Sequence, residues 1–331
     1  MSNESRRTRL RGALAWVGLG FSTFSLLLVL PTLIDQSDGA GSFADDLGLL
    51  LWTPLLILAL CALTRTLGPR ALIGALLAGF FGTVSMATMV GRPIIERFGT
   101  DSSFAIALWV PLTEELLKLA PVALLLFLCR NRERRPSTGD IVLYGAVIGL
   151  GFTVHENALL GRNIDGGWFG HLPFSLFVPS LTSATNGAQS MLVGGHMVYT
   201  ALAALGLAVT MTYRRIRWAR LAAPIAFGVV LLEHATVNQL TSTPEGADLS
   251  AWAQASSMLT LGGHLSVVLL ITGLGAVTWH ESRLLQPRTD PAAPSVLRRW
   301  GANVFRPARA DVARRAAVLA HSSATANRRS F

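Results

Sequence analysis

Apolar runs alternate with short polar segments along most of the chain. Eight runs are long enough, or nearly so, to cross a hydrocarbon core of about 30 Å as helices. They are Ala13–Ile34, Leu47–Leu63, Ala71–Val90, Phe104–Cys129, Asp140–Leu160, Ser190–Met211, Leu221–Leu240 and Ala255–Trp279. The first starts as a signal peptide would, but it is long and lacks a clear small-residue cleavage site, so it reads as a retained helix. Arginine clusters fall at the N-terminus and after the second, fourth, sixth and eighth runs. Acidic or weakly charged loops fall after the other four. That alternation predicts eight helices with both termini in the cytoplasm. The long loop Gly161–Gln189, with Gly, Trp and Pro, is expected to lie at the outer interface or dip into it.

Composition agrees with the pattern. Of 331 residues 51% are hydrophobic and 14% charged, and the mean hydropathy is +0.47. The expected class is an all-α polytopic protein of the plasma membrane, not a soluble domain. The net charge of +9 raises nucleic acid as a partner, but the arginines sit in short loops and the tail, so lipid is the partner instead. Three regions are expected: a basic cytoplasmic N-terminus 1–12, a membrane domain 13–280, and a largely disordered tail 281–331 with ten arginines. The tail suits contact with anionic lipid and has room for a short amphipathic helix at Ala310–Ala320. Cys61 and Cys129 lack metal-ligand spacing and both fall near the cytoplasmic side, which disfavours a disulfide or thiolate site. No repeat of fixed period is visible.

The fourth run breaks the apolar rule. Its middle carries Glu114, Glu115 and Lys118. Three such charges cost on the order of 7–10 kcal/mol to insert, nearly cancelling the gain from the apolar residues around them. Lys118 is the only lysine among the 28 Lys and Arg residues. It stands three and four positions after the two glutamates, within reach of either on one side of a helix. Pro111 and Pro121 bracket the stretch. An ion pair that merely joins helices needs one glutamate; a second leaves a carboxyl for proton transfer.

Other ionisable groups share this depth. Counting from the outer ends of the runs, Glu114 and Glu115 lie ~15 Å down. Glu156, His196, His234 and Asn238 also fall in the outer half, and the inner halves are apolar apart from basic residues. The convergence predicts one polar, water-accessible pocket. Hydrolysis suits it: a carboxylate in apolar surroundings beside a like charge can take a proton from water. His234 and Asn238, four apart on one face, are placed to bond a tetrahedral oxyanion. No serine stands in a nucleophile elbow, and there is no HExxH. His264 follows a Gly-Gly pair much as His196 does, so the sequence barely separates them. His155 and Glu233, each beside a site candidate, read as supporting groups.

Glu114-Glu115-x-x-Lys118, Phe152-x-x-x-Glu156-Asn157, Gly195-His196 and His234-x-x-x-Asn238 together resemble the PrsW family of intramembrane proteases, within the wider superfamily of CAAX prenyl endopeptidases and bacterial self-immunity proteins. The resemblance spans roughly residues 45–280. It implies an endopeptidase of eight or nine helices acting on a membrane-anchored protein, as in site-1 cleavage of an anti-sigma factor. It also implies Glu114 or Glu115 as the base that activates water, with Glu156 assisting. His196 and His234 become further polar groups and Asn238 an oxyanion donor; Lys118, Phe152 and Asn157 support them. Catalysis without a cofactor is the expectation. A metal such as zinc, held by Glu114, Glu156, His196 and His234, is the alternative. A proton-coupled transporter or a binding-only immunity factor is the rival class, since carboxylate, lysine and histidine also build proton relays.

Overall fold

The computed structural model describes residues 54–62, 64–99, 104–129, 136–160, 182–186, 189–243 and 250–284. The basic N-terminus, the first expected run and residues 285–331 of the arginine-rich tail, with its amphipathic stretch, lie outside these residues, whereas 281–284, expected as the start of a disordered tail, are helical. Of the second run, residues 54–61 are helical (α1). Helix α2, Pro69–Leu77, passes through a π-helical turn, Ala78–Thr83, into α3, Val84–Phe98. Pro69 starts this rod, where its missing N–H costs nothing. Gly99, at φ 86°, stops it, an angle that glycine adopts without strain. A second π turn, Phe104–Trp109, feeds α4, Val110–Leu128. Pro111 therefore falls in the first turn of α4, while Pro121 is interior.

Helix α5 spans Thr138–Leu160. Two short strands follow, β1 (Thr182–Asn186) and β2 (Gln189–Val193), paired antiparallel with Thr182 opposite Val193. The sixth run was expected to be helical from Ser190; β2 occupies that stretch and α6 runs Gly195–Thr212. A 3₁₀ turn, Trp218–Leu221, leads into α7, Ala222–Ser242. The eighth run was expected as one helix and is two: α8, Ala251–Leu259, and α9, Leu265–Leu284. Leu261, Gly262 and Gly263, at φ 54°, 62° and 85°, make the break.

Among the described residues, five helices are long and apolar enough to cross a membrane: Pro69–Phe98, Thr138–Glu156, Gly195–Thr212, Trp218–Ser242 and Leu265–Ser282. The chain is a multi-pass membrane protein, predominantly helical. Helix α4 stands outside this set, with three ionisable groups in its 19 residues. Helix α5 is the axis of the packing: 89% of its span is buried, against 28–61% for the other four. Glycine brings its neighbours close. A Cβ at Gly145 would sit 2.7 Å from the Ala204 Cβ, and one at Gly149 would sit 2.7 Å from the His196 carbonyl carbon. Gly151 and Gly79 allow the same closeness to the π turn of α2. Without a hydrophobic drive in lipid, this backbone approach gives dispersion its hold.

The base of α5 is pinned. Ser137 and Asp140 form a reciprocal cap: the Asp140 N–H donates to Ser137 Oγ at 3.0 Å, and Ser137 Oγ donates to Asp140 Oδ2 at 2.9 Å. Asp140 Oδ2 also accepts from the Thr66 N–H at 2.7 Å and the Thr66 hydroxyl at 2.5 Å. The Thr138 N–H donates to Glu281 Oε1 of α9 at 3.1 Å. These bonds anchor the N-terminal end of α5 to its neighbours.

Candidate functional site

Glu115 is the hub of the polar cluster. It lies on α4 with no exposed surface, as does Lys118. One turn apart, they meet at 2.5 Å between Lys118 Nζ and Glu115 Oε1. The same oxygen accepts from His234 Nδ1 of α7 at 2.9 Å. Lys118 Nζ also donates to His196 Nδ1 of α6 at 2.7 Å. A carboxylate and an ammonium buried this deep each need the other as partner, so each fixes the other. Glu114, beside Glu115, turns toward a different space. Its Oε2 lies 3.9 Å from Lys118 Nζ and 3.6 Å from His234 Nε2.

Helix α5 completes the group. Glu156 Oε2 lies 2.6 Å from His196 Nε2, so the His196 ring bridges Lys118 and Glu156. The Phe152 ring, one turn earlier, lies 4.3 Å from the Lys118 ammonium and 4.6 Å from the His196 ring. It is a cation–π floor that shields the lysine from lipid. Glu114, Glu115 and Lys118 from α4, Glu156 from α5, His196 from α6 and His234 from α7 thus form one contiguous set. Sequence reasoning missed Tyr199, which stacks on the His234 ring at 5.7 Å and 25°. Its position three after His196, on the same face of α6, was the available signal.

Other candidates separate from the cluster. Asn238, expected as an oxyanion donor, donates its amide N–H to the Ile106 carbonyl of the second π turn at 3.3 Å. His155 bonds through Nδ1 to the Phe80 carbonyl of the first π turn. Glu233 accepts from the Ser266 N–H at 2.9 Å, just past the break between α8 and α9. Irregular turns free backbone groups that a membrane interior cannot hydrate, and side chains next to the cluster bond them. His264 is exposed and bonds Leu261 of its own turn at 2.7 Å, which distinguishes it from His196. Asn157 follows Glu156 on α5, and its side chain lies outside the described residues.

Ligand-type atoms of Glu114, His196 and His234 all lie within 4.8 Å of one another. Two of them fit a divalent metal as they stand. Tetrahedral zinc at about 2.0–2.2 Å from each ligand holds neighbouring N and O atoms roughly 3.4 Å apart. The observed separation between Glu114 Oε2 and His234 Nε2 is 3.6 Å. Glu114 Oε2 is buried without a hydrogen-bond partner among the described residues. The His234–Glu115 bond is the carboxylate–histidine support that metal ligands receive. His196 has both ring nitrogens engaged, by Lys118 and Glu156, and joins as a ligand by exchanging one of them. Expectation from the sequence was of no cofactor; this donor set is suited to a metal.

No curated protein and no solved structure matches the chain. A family model does, over residues 68–270, more than half of the sequence, and the matched stretch holds every member of the cluster. The chain belongs to the PrsW family of intramembrane metalloproteases.

Proposed function

We propose that the chain is a metal-dependent endopeptidase that cuts a membrane-anchored protein at the Glu114–His196–His234 group. The observation that carries this is the meeting of ionisable side chains from four helices, His234 and His196 on the Glu115–Lys118 pair and Glu156 on His196. Glu114, His196 and His234 would hold the ion. When bound, it supplies a Lewis acid for the scissile carbonyl and a more acidic water. Glu156 is the most open carboxylate of the group, its side chain 27% exposed against 13% for Glu114 and none for Glu115. Its oxygen not bonded to His196 takes the proton from the attacking water and returns it to the leaving amine. Glu115 holds the His234 ring by Nδ1 and anchors the Lys118 ammonium. Lys118 orients His196. Asn238 fixes the turn at Ile106 rather than reaching the oxyanion.

By the charge pattern, the site opens to the outer half of the plasma membrane, with both termini inside. The substrate class is then a single-span or lipid-anchored protein cut near its extracytoplasmic end, as for an anti-sigma factor. The test is a co-expressed, tagged single-span protein. Glu114→Gln and His234→Ala should each abolish its cleavage; cleavage at the wild-type rate in both would end the reading. The doubly engaged His196 favours a second reading, in which Glu114 and Glu156 act on water without a metal. Treatment of the purified protein with a chelator, followed by added zinc, separates the two. Loss and recovery support the metal, and indifference supports the carboxylates alone.

A further inference from the structure

The dipeptide Glu233-His234 faces two ways. His234 turns toward α4, while Glu233, about 100° around α7, turns toward the start of α9. There the chain has broken. The Gly262 N–H bonds Ser257 O at 2.7 Å, the Gly263 N–H bonds Thr260 O at 3.1 Å, and the Leu265 N–H bonds Thr260 O at 3.1 Å. The Ser266 N–H instead finds its acceptor on another helix, Glu233 Oε1, at 2.9 Å. Glu233 and Ser266 have no exposed surface. An amide left bare at this depth finds no water to bond, so the contact is a strong constraint on both helices.

We propose that Glu233 is a positioning residue for the reaction proposed above: its bond to the α9 amide fixes the rotation of α7 that presents His234 to Glu114. The helix is held from two sides, by Glu233 to α9 and by His234 Nδ1 to Glu115 at 2.9 Å. Thr236 to Ser256 Oγ at 2.8 Å and Asn238 to the Ile106 carbonyl at 3.3 Å hold α7 within the next turn and a half, so loss of the Glu233 hold lets the stretch around residues 233 and 234 turn against them. A turn of about 10° moves an imidazole about 6 Å from the helix axis by ~1 Å. That is enough to part His234 Nε2 from Glu114 Oε2, now 3.6 Å away. Misplacement on this scale costs about 10²-fold in rate. The role needs an acceptor oxygen and no charge, so glutamine serves.

The experiment uses the full chain in detergent, a single-span test substrate, and amide exchange across residues 258–268. Glu233→Leu removes the acceptor. Ser266→Pro removes the donor, at a first-turn position where a helix tolerates proline. Glu233→Gln keeps the bond. Both disruptive variants should lower kcat about 10²-fold with KM within about threefold, and speed exchange in the 258–268 segment. The double variant should be no slower than either, and Glu233→Gln should stay within about threefold of wild type. Equal loss in Glu233→Gln and Glu233→Leu would overturn the proposal, as would wild-type kcat and exchange in Glu233→Leu. If Glu114→Gln also leaves hydrolysis intact, the protease reading falls instead, and the exchange arm still judges the bond.

Discussion

Adding one methyl group at Gly149 tests how tightly the fold holds the site. Gly149 lies on α5 against the first turn of α6. Its added Cβ would sit 2.7 Å from both the His196 carbonyl carbon and the Met197 Cα, and nearer still to the His196 carbonyl oxygen. These are backbone atoms, so no side chain can swing aside. Ordinary contact begins at 3.4 Å, and α6 must withdraw from α5 by about 1 Å to reach it. The His196–Glu156 bond bridges the same two helices at 2.6 Å. The shift stretches it to roughly 3.6 Å, outside hydrogen-bond range. Overpacking itself costs about 1–3 kcal/mol of stability. Misplaced site groups lower kcat by about 10²-fold. Gly228→Ala on α7 is the control, because nothing lies within 4 Å of its Cβ. Thermal unfolding and kcat on a single-span substrate should fall together for Gly149→Ala and hold for Gly228→Ala. Wild-type kcat in Gly149→Ala would refute the claim that α5–α6 closeness sets His196.

Three more outcomes follow from the geometry. Glu115→Ala strands Lys118 and the His234 ring, so unfolding stability should drop by about 3–5 kcal/mol along with activity; Lys118→Met,Glu115→Gln should recover part of the stability and none of the hydrolysis, as read by melting and turnover. Asp140→Ala cuts the bonds to Thr66 and Ser137, at about 1.5–3 kcal/mol for each charged bond in isolation. Yet Asp140 is roughly 24 Å along α5 from Glu156, so hydrolysis per folded molecule should stay within about threefold. His155→Phe leaves the Phe80 carbonyl bare, and denaturant titration should show a loss of about 1–3 kcal/mol.

Much of the site was legible because its residues cost too much to be incidental. Glu114, Glu115 and Lys118 in an apolar run, and His196 and His234 at matching depth, announced themselves by insertion energy. What they bond to was not legible. Glu114 and Glu115 are adjacent and chemically alike; only the approach of α7 and α6 makes one the hub and leaves the other facing His234 Nε2. Asn238 shared a helical face with His234, but the carbonyl freed at Ile106 claimed it. The π turns have no periodic signature, since each keeps the apolar pattern while shifting register by one residue. In the last helix the sequence does carry a signal: Gly262-Gly263 sits inside an apolar run, where glycine marks a break. The close approaches at Gly145 and Gly149 belong to three-dimensional packing, and their glycines look like any others in the sequence.

The central claim is that this cluster hydrolyses peptide bonds. Its most direct measurement is mass-spectrometric mapping of a single-span membrane protein incubated in vesicles with the purified chain or with Glu114→Gln. The wild-type chain should give one new pair of termini, near the outer end of the substrate's span, and the variant none. The same fragments in equal yield from both would contradict that claim.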